Sequence, residues 1–320
     1  MPEPRLSVVV TRRLPEAVET RMSELFDVTL RPDDVPMTRE ALAAAMRGAD
    51  VLVPTITDEI DAALLAQAGD RLKLIANFGA GVDNIDVQTA RQRGIHVSNT
   101  PGVLTEDTAD MTMALILAVR RRIPEGLSIM QKGDWEGWAP TGNLGHRVGG
   151  QRLGVLGMGR IGQAVARRCQ HGFGMKVCYA NPSEKVLDID AERRPIEDVL
   201  KVADFVVLCV PASAETRHMI NAEALALMQP HARLINVARG DVVDELALID
   251  ALQKGVIGGA GLDVFENEPD VPEALRAMEN VVLLPHLGTA ALEVREAMGL
   301  MALKNLRTFL DGDTPPNLVN

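Results

Sequence analysis

A chain of 320 residues with 47% apolar content exceeds the usual size of one domain and is long enough to bury two cores. Its 33 Lys and Arg stand against 44 Asp and Glu, and neither sign gathers in long blocks, so no basic surface awaits a phosphate backbone and nucleic acid is not expected as a partner. No stretch is apolar for long enough to span a bilayer, and MPEPRLSVVVTRRLPE lacks the apolar core and small-residue cleavage site of a signal peptide, so a cytoplasmic protein with no membrane partner is expected.

The first elements are short apolar runs, LSVVV, ADVLVP, LKLIANF and IHVSN, separated by charged stretches of helical period. That alternation predicts a parallel sheet with crossover helices. After LKLIANF, the turn Gly79-Ala80-Gly81-Val82-Asp83 offers consecutive backbone N–H groups, which makes Ala80 and Gly81 candidates to bind a carboxylate. On pattern alone a plain strand-to-helix turn serves equally well.

Next, LTEDTADMTMALILAVRRR reads as an apolar helix with Thr105 at its N-cap, acids in its first turn and Arg120, Arg121 and Arg122 as a solvated C-terminal end. It is expected to bridge two units, and Pro101-Gly102 and Gly149-Gly150 are the hinge candidates. Trp135 and Trp138, in GDWEGWAP, lie outside the strand pattern in a chain poor in aromatics. They suit a pocket wall or an interface, with simple packing as an even alternative.

A second series follows: RLGVLGMG, MKVCYAN, DFVVLCVP, ARLINVA, VIGGAGLDVF and VVLLP, again spaced by helical stretches such as DELALIDALQKG. Two Rossmann-like α/β units are therefore expected. Gly157-Met158-Gly159-Arg160-Ile161-Gly162 follows a strand and opens a helix, the context a dinucleotide fingerprint needs. Gly157 allows the tight turn, Gly159 lets backbone N–H groups approach a pyrophosphate, and Gly162 lets helix and strand pack closely.

Where the next strand ends, an acid normally accepts hydrogen bonds from the adenosine ribose of NAD, but this chain has Asn181-Pro182-Ser183. The uncharged Asn181 removes repulsion toward a 2'-phosphate, which Ser183 and Lys185 are placed to contact, yet no arginine follows to form a planar clamp. NAD and NADP both remain open, with the balance slightly toward NADP. The three cysteines, Cys169, Cys178 and Cys209, lie in helix or strand patterns without metal-ligand spacing, so structural thiols and no metal are expected.

Three chemistry-bearing motifs trail the ends of later strands: Arg239 in NVARG, Glu268 in the run from LDVF to Glu268-Pro269, and His286 in LPHLG. In open parallel sheets such positions converge on the ligand crevice. Reducing a 2-oxo acid needs a proton for the carbonyl oxygen and a cation for the carboxylate, roles suited to His286 and Arg239. Glu268 beside His286 would favour the imidazolium and orient the ring. Taken singly, each has a bland reading as an ion pair, a turn acid or a partly buried histidine. The remaining histidines, His96, His146, His171, His218 and His231, show no matching acids and are read as surface or structural.

NVARGDVVDE, GAGLDVFENEP and LLPHLG, in this order and together with the preceding GMGRIG, resemble the D-isomer-specific 2-hydroxyacid dehydrogenase family. ANFGAGVDNID, NTPGVLTEDTADMTMALILAVRR and GDWEGWAP extend the resemblance to its glyoxylate and hydroxypyruvate reductase branch. The resemblance implies reduction of a small 2-oxo acid, glyoxylate or hydroxypyruvate, to the D-2-hydroxy acid with NAD(P)H. The alternatives are a nicotinamide-sensing corepressor-like binding protein and a glycerate or phosphoglycerate dehydrogenase of the same family.

By the same resemblance, Arg239, Glu268 and His286 are catalytic, and Ala80, Gly81, Trp138, Arg239 and His286 meet substrate. The implied cofactor contacts are Thr108, Gly157, Met158, Gly159, Arg160, Ile161, Asn181, Pro182, Ser183, Val210, Pro211, Thr216, Val237, Ala238, Arg239, Asp263, His286 and Gly288. A cofactor domain over 102–290 is expected to be inserted into a discontinuous substrate domain of 1–101 and 291–320. A homodimer through the LTEDTADM region is implied as well. Pro182 stands where the branch usually has an arginine, a departure that bears on cofactor choice.

Overall fold

The computed structural model describes residues 6–320. They form two compact units, one running to Leu104 and resuming at Ala290–Asn320, the other being Thr105–Thr289.

The first unit holds a parallel sheet of β1 (Ser7–Val10), β2 (Asp27–Thr29), β3 (Val51–Val53), β4 (Leu74–Ala76) and β5 (His96–Ser98), in the order β2-β1-β3-β4-β5. The central β3 and β4 are buried along their whole length, as expected of strands covered on both faces and written as unbroken apolar runs. The Leu292–Leu310 helix packs so closely on the Glu16–Leu25 helix that a Cβ at Gly299 would lie 2.4 Å from the Val18 side chain. The chain end is stitched to β5: Val97 N–H donates to Asn320 Oδ1 and Asn320 Nδ2 to the Ile95 carbonyl, both at 2.8 Å.

The second unit holds β6 (Arg152–Leu156), β7 (Lys176–Ala180), β8 (Ala191–Arg193), β9 (Phe205–Leu208), β10 (Arg233–Asn236), β11 (Gly259–Leu262) and β12 (Val281–Leu283). The order is β12-β11-β10-β9-β6-β7-β8, all parallel, so the strand order reverses at β6 and β9. In open α/β sheets that reversal opens a crevice beyond the strand ends, and the glycine motif follows β6 directly. The Thr105–Arg121 helix buries Ala109, Met113, Leu115, Ile116 and Val119 against this sheet.

Both expected α/β units with parallel sheets are present. Several local expectations are corrected. β2 and β8 had no apolar signature because each is a three-residue edge strand with no fully buried side chain. Thr105 is the first helical residue rather than a cap outside the helix, and that helix falls within the second unit. Gly149-Gly150 lies inside the second unit, where Gly150 N–H donates to the Phe173 carbonyl, so it is not at a crossing.

Arg120 is buried rather than solvated: its guanidinium stands over the Phe205 ring and donates to the His231 and Arg147 carbonyls. Burial lowers its pKa, although Asp204 pulls the other way.

Candidate active site

The glycine turn after β6 has the shape its sequence promised. Gly157 sits at φ +96°, and a Cβ there would meet the Cys209 carbonyl oxygen at 2.6 Å. A Cβ at Gly162 would be 2.2 Å from the Gly157 carbonyl oxygen, which is why helix and strand tolerate only glycine. A Cβ at Gly159 would meet nothing within 4 Å, so open space lies over the start of the Arg160–Phe173 helix. No side chain caps that helix, leaving its first amides and dipole for an anion. The arrangement fits the pyrophosphate of a dinucleotide, with Gly159, Arg160 and Ile161 exposed or half-buried around it and Met158 buried beneath.

Asn181, one residue past β7, is held rather than loose. Its Oδ1 accepts from Met158 N–H at 3.1 Å and its Nδ2 donates to the Ser183 carbonyl at 2.8 Å. Sequence reading found no arginine for this loop, but the parallel pairing of β8 with β7 brings Arg193 to it. Arg193 donates from Nε to the Asn181 carbonyl at 3.0 Å and from Nη2 to the Pro182 carbonyl at 2.7 Å. No local signal announced this, because β8 itself had none.

Further along the sheet, Val210 and Pro211 follow β9, and Thr216 Oγ1 donates to the Pro211 carbonyl at 2.7 Å, closing that loop. Asn236 ends β10 buried, accepting from Ala238 N–H and donating to the Arg239 carbonyl, which fixes the turn that carries Val237, Ala238 and Arg239.

Asp263, buried just past β11, organises the next segment. Its carbonyl accepts from His286 N–H at 2.9 Å and its carboxylate from Leu287 and Gly288 N–H at 2.6 and 2.8 Å. Burial pushes the Asp263 carboxyl up, against the downward pull of those two amides and of His286. Thr108 Oγ1 donates to the Gly288 carbonyl at 3.1 Å, tying the same loop to the Thr105–Arg121 helix. With both amide and carbonyl neighbours fixed, His286 is held at φ +55°, in the left-handed region that non-glycine residues seldom occupy.

The structure brings Glu268 and His286 together. Glu268 Oε2 lies 2.9 Å from His286 Nδ1, and Glu268 Oε1 accepts from Phe265 N–H at 3.0 Å. Burial raises the Glu268 carboxyl, but the hydrogen bond and charge of His286, with help from Arg239, bring it below its ordinary value. An ionised Glu268 can only accept, so Nδ1 carries a proton and donates it to Glu268. His286 Nε2 has no partner among the described residues. Arg239, Glu268 and His286 thus belong to one electrostatic group beyond the ends of β10, β11 and β12.

Ala80 and Gly81 lie in the first unit. Asn99 Nδ2 donates to the Ala80 carbonyl and the buried Asn77 Nδ2 to the Gly81 carbonyl, both at 2.7 Å. In a trans peptide C=O and N–H point oppositely, so the Gly81 and Val82 N–H groups are turned away from those asparagines. Trp138 is 84% exposed in the protomer and Trp135 61%, so core packing is ruled out for both.

Two histidines read as lacking acids have them. His218 Nε2 lies 2.8 Å from Glu266 Oε1, and His231 Nε2 lies 2.5 Å from Asp204 Oδ1. Folding brings together partners that sequence distance concealed. Cys169 and Cys209 are thiols pushed by burial to about 12.

The family model described as "D-isomer specific 2-hydroxyacid dehydrogenase, NAD binding domain" matches residues 113–288, which include the glycine turn, Arg239, Glu268 and His286. The glyoxylate reductase of Thermococcus litoralis is 47% identical over 98% of this chain and 96% of its own length. That of Thermococcus onnurineus is 45% identical over 98% and 95%. Among solved structures, the NADPH-dependent glyoxylate/hydroxypyruvate reductase of Sinorhizobium meliloti, in complex with NADP and malonate, superposes with TM-score 0.88 at 36% identity, covering 98% of this chain and 97% of that one. With the family model matching more than half of the chain and these relatives matching nearly its whole length, the chain belongs to the D-isomer-specific 2-hydroxyacid dehydrogenase family, in its glyoxylate reductase branch.

Proposed function

We propose that the protein reduces a small 2-oxo acid, glyoxylate or hydroxypyruvate, to the D-2-hydroxy acid with NADH or NADPH. The observation that carries this reading is the Glu268–His286 pair, 2.9 Å apart and within the field of Arg239, in a chain with a fitted dinucleotide turn.

A bound reduced nicotinamide supplies hydride to the carbonyl carbon. The chain's own residues do the rest. Arg239 binds the carboxylate and polarises the carbonyl. His286, oriented through Nδ1 by Glu268, delivers a proton from Nε2 to the carbonyl oxygen. The Ala80–Gly81 turn, with its Gly81 and Val82 amides, is assigned to anion binding.

The Gly159, Arg160 and Ile161 amides receive the pyrophosphate, and the adenosine ribose falls to Asn181, Pro182 and Ser183. Val210, Pro211, Thr216, Val237, Ala238, Thr108, Asp263 and Gly288 complete the cofactor assignment. An uncharged Asn181 with Arg193 behind its loop supports a tilt toward NADP.

We further propose a homodimer in the cytoplasm. Ile123, Leu127, Met130, Trp135, Trp138 and Leu144 are all exposed, and the Ile123–Lys132 helix buries none of its residues within the protomer. A second copy of the chain would cover this apolar stretch. The three cysteines are free, as suits a reducing compartment.

A steady-state assay crossing glyoxylate, hydroxypyruvate and pyruvate with both reduced cofactors tests the enzymatic reading. Rapid cofactor oxidation with at least one of the first two acids is expected, and no turnover with any combination would refute it.

A further inference from the structure

Glu245, the first residue of the Glu245–Gln253 helix, is an acid only 6% exposed, yet none of the roles above uses it. Its position in the first turn of a helix suits a carboxylate, since the helix dipole favours negative charge there. Its Oε1 accepts from the backbone N–H of Glu266 at 2.8 Å.

That amide belongs to the turn that delivers Glu268. One residue before it, Phe265 N–H donates to Glu268 Oε1, and Glu268 Oε2 in turn holds His286 Nδ1. The same turn is wedged from the Arg239 side: a Cβ at Gly240 would lie 1.8 Å from the Phe265 carbonyl carbon and 2.3 Å from Glu266 N. The Glu266 side chain is anchored as well, by His218 at 2.8 Å and Arg217 at 3.1 Å.

We infer that Glu245 is a positioning residue: by fixing the Glu266 amide it sets the Phe265–Glu268 turn and thereby the carboxylate that orients the His286 imidazole. This rests on the proposed roles of Glu268 and His286 and adds the device that places them. Burial, with the charges of Glu266 and Glu268 nearby, raises the Glu245 carboxyl, so the group is held at an electrostatic disadvantage that its one backbone hydrogen bond only partly offsets.

The test compares Glu245→Ala with Glu245→Gln, which keeps an oxygen to accept from the Glu266 amide. Glu245→Ala is expected to lower kcat roughly 10- to 100-fold, as small misplacements of catalytic groups do, with KM for the 2-oxo acid unchanged and kcat restored in Glu245→Gln. In protein labelled with 15N-histidine, the Nδ1–H signal of His286 should persist in the Gln variant and vanish in the Ala variant. If Glu245→Ala fails to fold, Glu245→Met fills the space without the oxygen acceptor and serves the same comparison.

The inference is overturned by an unaltered kcat and His286 signal in the apolar variant, by a Gln variant as impaired as Ala, or by kcat and KM moving together. Absence of turnover in the wild type would instead defeat the enzymatic reading, and the histidine signal would still decide the positioning role.

Discussion

His286 has one nitrogen committed to Glu268 and the other without a partner among the described residues, so in the proposed mechanism orientation and proton delivery fall to different nitrogens of one ring. Replacing it with Asn should reduce kcat by roughly 100- to 10,000-fold while leaving the dissociation constant for cofactor nearly unchanged; tight-binding titrations beside turnover assays check this. Asn181→Asp places a carboxylate at the end of β7, where it should weaken NADP about tenfold or more by charge repulsion and leave NAD little affected, as read by direct binding of each cofactor. Glu268 gives a pH signature. Its folded-state carboxyl lies below the ordinary value, so its stabilisation is complete above the usual glutamate range and is lost as the pH falls through the folded-state value. Denaturant melts should therefore show wild type ahead of Glu268→Gln near neutrality and the gap closing on acidification; a gap constant with pH would remove the ion pair as its cause.

At the scale of elements, the glycine turn shows how little freedom a close strand-to-helix junction leaves. Gly162→Ala would press a methyl against the Gly157 carbonyl, at a cost of about 1–3 kcal/mol, and should both lower the melting temperature and weaken cofactor binding. The central strands were legible from sequence because burial on both faces writes them as apolar runs, and the glycine motif because its context was intact. β2 and β8 were not, since edge strands of three residues carry no apolar pattern. The same blindness hid Arg193, whose place beside Asn181 comes from β8 pairing with β7. Glu268 and His286 were legible as candidates by type and position, whereas Glu245 was not, because its importance lies in a backbone amide of a distant turn. Arg120 was misread for a related reason: helix-end logic favours a solvated cation, but Phe205 and two carbonyls from other segments enclose it.

For the whole molecule, the exposed apolar stretch from Ile123 to Leu144 bears on assembly. Trp138→Asp puts a charge at its most exposed aromatic and should shift the proposed dimer to monomer in sedimentation or light scattering, with the protomer's own fold intact. A variant still dimeric at all concentrations would place the interface elsewhere. The first unit is discontinuous, and its β5 is tied to Asn320 and, through Asn99, to Asn305, far along the chain. The second unit is one uninterrupted segment. On a ribosome that emits the chain from its N-terminus, the later-starting unit has all its strands in hand before the earlier-starting one receives the helix and tail that complete it. The half synthesised first must therefore wait, with apolar strands awaiting cover, and it is the half most exposed to chaperone capture during biosynthesis.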